Sequence, residues 1–467
     1  RLDITGLGQP KDGRIAADAL ALDGIEVSLR GRSPAAGTVV VTVPKLQVAG
    51  FAGPLGAAAP GTGPAGVAIA ALQKVSALTA GKLTAPEATV RLAFDADAPV
   101  TELRYAGIAA EDLKAGTIRS LLLDSVAFTV TSPAPPDGGG PVSGEVRGTA
   151  VSELNLLPLV ATLAPAGPPA PDASYEKLYD RLVTGPYVVR TPDGVSSASS
   201  TLVEQAGIRP SGLSLEDLVR LKILAVTGVE DEEAVTPEVL GLAAKAVESV
   251  AFRPLAVSGM EMQDKAGKGR LASTRLDGFA AGKLDVFTVE GFDGTDADGH
   301  AAKLGRLAIH QLDLGRILAF AAEDGVPSPR EVFQVLRAVE ISDAQVPYDP
   351  DGPARGTPVT VGSFTLSWSD MLGELPTRLV MKLDNASGPI EADDGEPFTY
   401  LVNAGITRAT LSFSLEAAYD ASTAVLSVKP VGIVMDKAFA VAFEGGLGNV
   451  PAVAFENDEA AAAAVMS

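Results

Sequence analysis

The chain of 467 residues contains no cysteine. Disulfides, thiolate metal sites and cysteine nucleophiles are therefore excluded by composition alone. Histidine is almost absent, with only His300 and His310, Trp368 is the one tryptophan, and aromatic residues make up 5% of the chain. A core must then be assembled from small aliphatic side chains, chiefly Ala, Val and Leu. No apolar run approaches the ~20 residues of a membrane-spanning helix; the longest candidates are broken by Pro158 and by "APAGPPAP" from Ala164. Positive charge is also scarce: 37 Lys and Arg face 58 Asp and Glu, for a formal net charge of −21. Such a surface repels phosphate backbones and anionic headgroups, so nucleic acid is not an expected partner, and the charge serves solubility. The absence of cysteine is compatible with an exported protein. The chain opens at Arg1 on strand-like "RLDITGL" with no charged and then apolar leader, as expected of a mature or trimmed product. Any membrane anchor is expected outside it.

What the chain does contain is self-similarity. "ELNLLPLVATLA" from Glu153 and "QLDLGRILAFAA" from Gln311 match with Leu154 on Leu312. The same offset places Pro192, Asp193 and Gly194 of "RTPDG" on Pro350, Asp351 and Gly352 of "YDPDG". At about twice that offset, "IEVSLRGRSPAAGTVVVTVPKLQVAGF" matches "AQVPYDPDGPARGTPVTVGSFTLSWSD", with Gly37 and Thr38 on Gly356 and Thr357. "LGNVPAVAFENDEA" from Leu447 resembles "LGRILAFAAEDG" from Leu314. A unit of about 160 residues in three copies follows, the last incomplete. The expected boundaries are 1–184, 185–342 and 343–467.

Prolines open helical patterns at Pro64, Pro171, Pro237, Pro329 and Pro397. In "SPRE", Ser328 is a cap, Pro329 suits the first helical position and Glu331 closes a capping box. "TPEV" at Thr236 follows the same plan. Behind Pro171, Tyr175, Leu178, Tyr179 and Leu182 stand at helical spacing before Gly185, and behind Pro237 the face is Leu240, Ala243, Ala244 and Val247. A further helix is expected where Ser214 and Asp217 cap "LEDLVRLKILA", and Asn155 and Asp313 are expected to cap the two matched segments. Between the helix pairs, "VAFRPLAVSGMEM", "GRLASTRL", "GKLDVFTVEGF" and "AAKLGRLAIHQL" read as strands, and residues 404–445 as a meander of three or four. Both parities are apolar in "KLDVFTVEGF", which suggests strands covered on both faces. The fold class that these patterns predict is α+β: tandem, elongated repeats of antiparallel β-sheet, each closed by a short helical hairpin.

No side-chain constellation carries chemistry. His300 and His310 lie ten residues apart on a turn and the next strand, and there is no G-x-S-x-G elbow. "FDGTDADGH" gathers Asp293, Asp296 and Asp298, but Gly294 and Gly305 occupy the EF-hand positions that need carboxylates, so the stretch reads as a hairpin turn. The same reading covers "YDPDG", "EADDGE" and the acidic run "VEDEEAVTPE". "SYEK" at Ser174 lacks the partner motifs of serine acyl-enzymes, and a helix cap accounts for the serine. "DKAGKGR" lacks the first glycine of a phosphate loop, with Met262 in its place. Trp368, at an expected strand-to-helix junction, reads as core. No catalytic, cofactor-binding or metal-binding residue is assigned.

The strand-rich line "ATLSFSLEAAYDASTAVLSVKPVGIVMDKAFAVAFEGGLGNV" resembles the β-repeats of bacterial periplasmic AsmA-like proteins. The resemblance covers about half the chain. It implies an envelope location and the handling of lipids, while the interspersed helix pairs depart from the long uninterrupted sheet of that family. Repetition without a converged polar site points away from an enzyme. The expectation is a non-enzymatic, exported bacterial envelope protein, periplasmic, that binds a lipid or other hydrophobic ligand without a cofactor. The alternative is a structural or protein-interaction rod with protein partners and no small-molecule site.

Overall fold

The computed structural model describes residues 1–30, 38–55, 63–93, 100–131, 140–163, 173–209, 237–322, 329–348, 355–373, 375–396 and 398–455. The chain divides into two compact units, Arg1–Asp264 with Gly278–Gly282, and Lys265–Asp277 with Lys283–Ser467.

The first unit is a meander. Its strands are β1 (Leu2–Thr5), β2 (Arg14–Arg30), β3 (Thr38–Pro54), β4 (Thr79–Ala93), β5 (Val100–Lys114), β6 (Thr117–Thr131) and β7 (Val142–Asn155). There follow β8 (Glu176–Thr184), β9 (Tyr187–Arg190), β10 (Gly194–Ala198), β11 (Ser200–Ile208), β12 (Val250–Phe252), β13 (Leu255–Asp264) and β15 (Phe279–Ala280). β8 and β9 share β7 as partner and behave as one strand interrupted at Gly185 and Pro186. Three helices, α1 (Gly63–Ser76), α2 (Leu157–Leu163) and α3 (Pro237–Ser249), lie in connections β3–β4, β7–β8 and β11–β12. Because strand direction alternates, all three fall at the same end of the strands.

The second unit continues the plan with β14 (Gly267–Asp277), β16 (Lys283–Asp296), β17 (Ala301–Asp313), β18 (Ala338–Pro347), β19 (Pro358–Leu372) and β20 (Leu375–Pro389). It closes with β21 (Arg408–Asp420), β22 (Val425–Met435) and β23 (Phe439–Leu447). Helices α4 (Leu314–Ala322) and α5 (Pro329–Val335) join β17 to β18, and α6 (Phe398–Asn403) joins β20 to β21 at the other end of the strands. In both units every pairing among the described residues is antiparallel.

The α+β expectation is therefore corrected: the chain is mostly antiparallel β-sheet, and helical hairpins do not close repeats. Among the described residues, connections β3–β4 and β7–β8 each show one helix, α1 and α2, and only α4 and α5 follow each other as a pair. The segment from Tyr175 to Leu182 is not a helix but leads into and forms most of β8. Several helix starts do hold. Asn155 Oδ1 accepts from the Leu157 N–H at 3.1 Å, and Asp313 Oδ1 from the Arg316 N–H at 3.0 Å, so both matched segments begin on equivalent caps. Proline also opens α3 and α5. Ser214, Asp217, Thr236, Ser328 and the turn Pro350–Gly352 lie outside the described residues.

Long strands in a sheet need strict alternation to keep one face apolar. These strands do not alternate strictly, and their backbone explains how they manage. Asp112, Glu153 and Gln205 on β5, β7 and β11 have φ of 53°, 54° and 49°, and Asp343 and Asn385 on β18 and β20 have φ of 52° and 54°. At each such residue the chain steps once out of the extended conformation, and the ladder skips a rung. Thus Ser342 pairs with Ser363 and Ala344 with Val361, while Asp343 and Gly362 between them do not bridge. The step moves the next side chain to the face its neighbour would have occupied. Apolar residues then fall two apart along a run and three apart across the step, as in Ile341 to Ala344, Leu383 to Ala386 and Ala110 to Leu113. The two apolar parities in "KLDVFTVEGF" have this origin, since Val289 and Phe292 flank Gly291 with φ of 68°. Leu284, Phe287, Val289 and Phe292 are one face in two phases, while Val286 pairs with His310 on the opposite side.

The candidate ligand-binding face

Following this re-phased pattern strand by strand produces one apolar face in each unit. In the first unit, Leu20 of β2, Leu46 and Val48 of β3, Ala80 and Leu83 of β4, Leu113 of β5 and Ile118 of β6 pack into a single cluster. In the second, Ile309, Ile341, Phe364, Leu366, Met381, Leu383 and Phe413 take the corresponding positions on β17 to β21. None of these seven is fully buried, although each has apolar neighbours on the adjoining strands.

Short helical segments cover only the margins of this face in the second unit. At one end Trp368 of β19 is buried, meets Phe333 of α5 edge-on with centroids 5.0 Å apart, and donates its Nε1–H to the Phe333 carbonyl at 3.0 Å. At the same end Phe455 packs on Tyr419, whose hydroxyl donates to the Val450 carbonyl at 2.9 Å. At the other end Phe398, Leu401 and Val402 of α6 cover Ile390, Ala409 and Met435. Between the margins no helix or second sheet is packed on the face among the described residues. A sheet with one apolar side normally buries it against a second layer; here the side chains of the strip between the helices are only partly buried, by their neighbours on the sheet.

The opposite face is polar and cross-linked by charge. Arg306 reaches Glu340 at 2.9 Å and Glu290 at 3.8 Å, Glu340 lies 3.4 Å from His310 Nε2, and Ser273 donates to Glu290. Arg378 pairs with Glu416 across β20 and β21. In the first unit the hydrogen bond from Arg147 holds the Glu145 carboxyl below its ordinary pKa. These pairs are solvent-exposed and add little stability, but they mark this side as the wetted one.

The candidate residues of the sequence are scattered over this frame. Asp296, Asp298 and His300 do come together in the β16–β17 turn, their ligand atoms within 4.8 Å of one another. The Asp296 carboxylate is, however, engaged by its own turn: it accepts the His300 backbone N–H at 2.8 Å and lies 3.0 Å from His300 Nδ1. The backbone hydrogen bond is the main reason that its pKa is lowered. His310 sits on the polar face of β17 beside an open cleft of about 720 Å³ that Gln311, Ser367, Ser369 and Asp370 also line. Among the described residues no hydroxyl is hydrogen-bonded to its ring. Trp368 is core, as expected, but lies inside strand β19 rather than at a strand-to-helix junction. Ser174 precedes a strand and caps no helix; Lys177 of the same motif pairs with Asp180 at 3.0 Å. "DKAGKGR" spans the turn from β13 to β14.

The residues that build the apolar face were missed as a group. The signal was present: apolar spacing of two and then three, repeated about every five residues, belongs to neither an ideal strand nor a helix. No protein-family model, curated protein or solved structure matches the chain.

Proposed function

We propose that the protein is a non-enzymatic, exported bacterial envelope protein that binds a lipid or another hydrophobic ligand on its apolar face. One observation supports this reading above others: the apolar strip is kept in phase across the backbone steps, yet among the described residues no helix or second sheet covers it between the marginal helices. Maintaining an apolar face without a layer to bury it leaves a large contiguous apolar surface, which in soluble proteins marks a binding surface. An acyl chain on such a strip gains about 0.8 kcal/mol for each methylene removed from water. The strip is aliphatic apart from Phe364 and Phe413, and among the described residues it lacks the precisely placed polar groups that orient small polar ligands. That composition fits a flexible hydrocarbon better than a sugar or a nucleotide. Export and envelope location are the setting in which such a ligand is met.

The test is mass spectrometry of an organic extract of the purified protein, together with the native mass of the unextracted sample. A stoichiometric lipid, lost in Leu366→Glu while the melting transition is kept, is the expected result. An empty extract from a monodisperse sample refutes the ligand reading and leaves a scaffold with protein partners.

A further inference from the structure

The edge strands of the two units are protected very differently. Strand β1 carries an Arg1–Asp3 ion pair at 3.0 Å, and charge on an edge strand discourages strand addition. Strand β23 pairs only with β22 among the described residues. It is nine residues long, contains no proline or lysine, has no left-handed residue and carries one charge, Glu444. Val441, Phe443 and Leu447 are 58%, 61% and 64% exposed. An extended, apolar, unguarded row of backbone donors and acceptors is a template for another strand.

We propose that β23 is a self-association edge, at which two copies of this chain pair β23 to β23 antiparallel about a two-fold axis. Full overlap sets the register, and the apolar residues of the strand suit a second copy as partner. Full overlap of Phe439–Leu447 with its symmetry mate centres the pair on Phe443. Phe443 then faces its own copy, Val441 faces Gly445, and Phe439 faces Leu447. Residues of one parity meet residues of the same parity, so apolar side chains stay on one face of the joined sheet. Glu444 faces Ala442, so no carboxylate stands directly opposite another. The guarded β1 edge offers no such match, which makes the contact isologous and closed rather than a growing fibre. This inference does not depend on the ligand reading.

The experiment uses the full chain. Sedimentation velocity from about 1 to 100 μM is expected to show a reversible monomer–dimer equilibrium, weakened at least about tenfold by Phe443→Lys and unchanged by Leu2→Lys. Phe443 is largely exposed, so the Phe443→Lys chain keeps the wild-type melting transition. Because the protein has no cysteine, Phe443→Cys introduces a single thiol, and mild oxidation is expected to yield a disulfide dimer. Val441→Cys, four residues out of register with its copy, is expected to remain monomeric on gels. A monomer throughout the range overturns the proposal, as does association that Phe443→Lys leaves intact. Cross-linking through Val441→Cys but not Phe443→Cys refutes the register, and assembly abolished by Leu2→Lys shows a different edge at work.

Discussion

If left-handed backbone steps hold the apolar face in phase, the residues opposite each step must leave room for it, and this can be measured at Asp124. Asp124 of β6 lies between Gly107 of β5, φ 62°, and Gly148 of β7, φ 63°. The two glycines share a conformation but not a neighbourhood. A Cβ on Gly107 would collide with the Asp124 carboxylate and lie 2.6 Å from the Asp124 Cβ, whereas a Cβ on Gly148 meets nothing within 4 Å. Alanine at either position costs about 1–2 kcal/mol for the left-handed backbone, offset by about 0.4–1 kcal/mol from the stiffer unfolded chain. Gly148→Ala should therefore destabilise by about 0.5–1 kcal/mol. Gly107→Ala adds overpacking of about 1–3 kcal/mol, for a total of about 2–4 kcal/mol. In a unit of this size that is a fall in melting temperature of roughly 4–16 °C, against about 1–4 °C for Gly148→Ala. Calorimetry or circular dichroism melts resolve the difference. In the double-mutant cycle, Asp124→Gly should recover about 1–3 kcal/mol of the Gly107→Ala loss and none of the Gly148→Ala loss. Equal losses at the two glycines, or additivity in the Gly107 cycle, would refute the account of the step.

Two further outcomes test the margins of the sheet. Trp368→Phe keeps an aromatic ring against Phe333 but removes the Nε1 hydrogen bond to the Phe333 carbonyl, and should destabilise the protein by about 1–3 kcal/mol in urea titrations. The Asp296 pKa is held below its ordinary value of 3.8, first by the His300 backbone N–H and then by the His300 side chain. Its contribution to stability is therefore complete above that ordinary value and lost as pH falls through the lowered one. Asp296→Asn should flatten this part of the acid limb of a stability–pH curve and leave the region above about pH 5 with no slope from this site; an unchanged acid limb would show that the turn does not use the carboxylate.

Local chemistry was legible wherever it acts over a few residues. Asn155 and Asp313 cap their helices because a short side-chain oxygen needs only the next turn of backbone to satisfy. Pro237 and Pro329 start helices because the ring supplies the dihedral and lacks a donor that would go unused. The strands from Val250 to Leu312 were likewise readable from alternation and turn residues. Where a strand was read as a helix, the cause was a skipped rung. Tyr175, Leu178, Tyr179 and Leu182 imitate a helix because β8 passes Asp180 opposite the left-handed Gln205, and a skipped rung between them separates Tyr179 from Leu182 by three residues on one face.

The helix caps, the turns and the apolar composition of the strand surfaces are therefore written in the chain, since each depends on near neighbours. That the surfaces form one face in each unit was decided only in the tertiary structure. The left-handed step at Asp343 has meaning only beside Gly362, and that at Asn385 only against the same glycine on its other neighbouring strand. Phase along a strand is a local property, but keeping phase across strands requires every neighbour to step on the same line, and that agreement comes from the hydrogen-bond ladder.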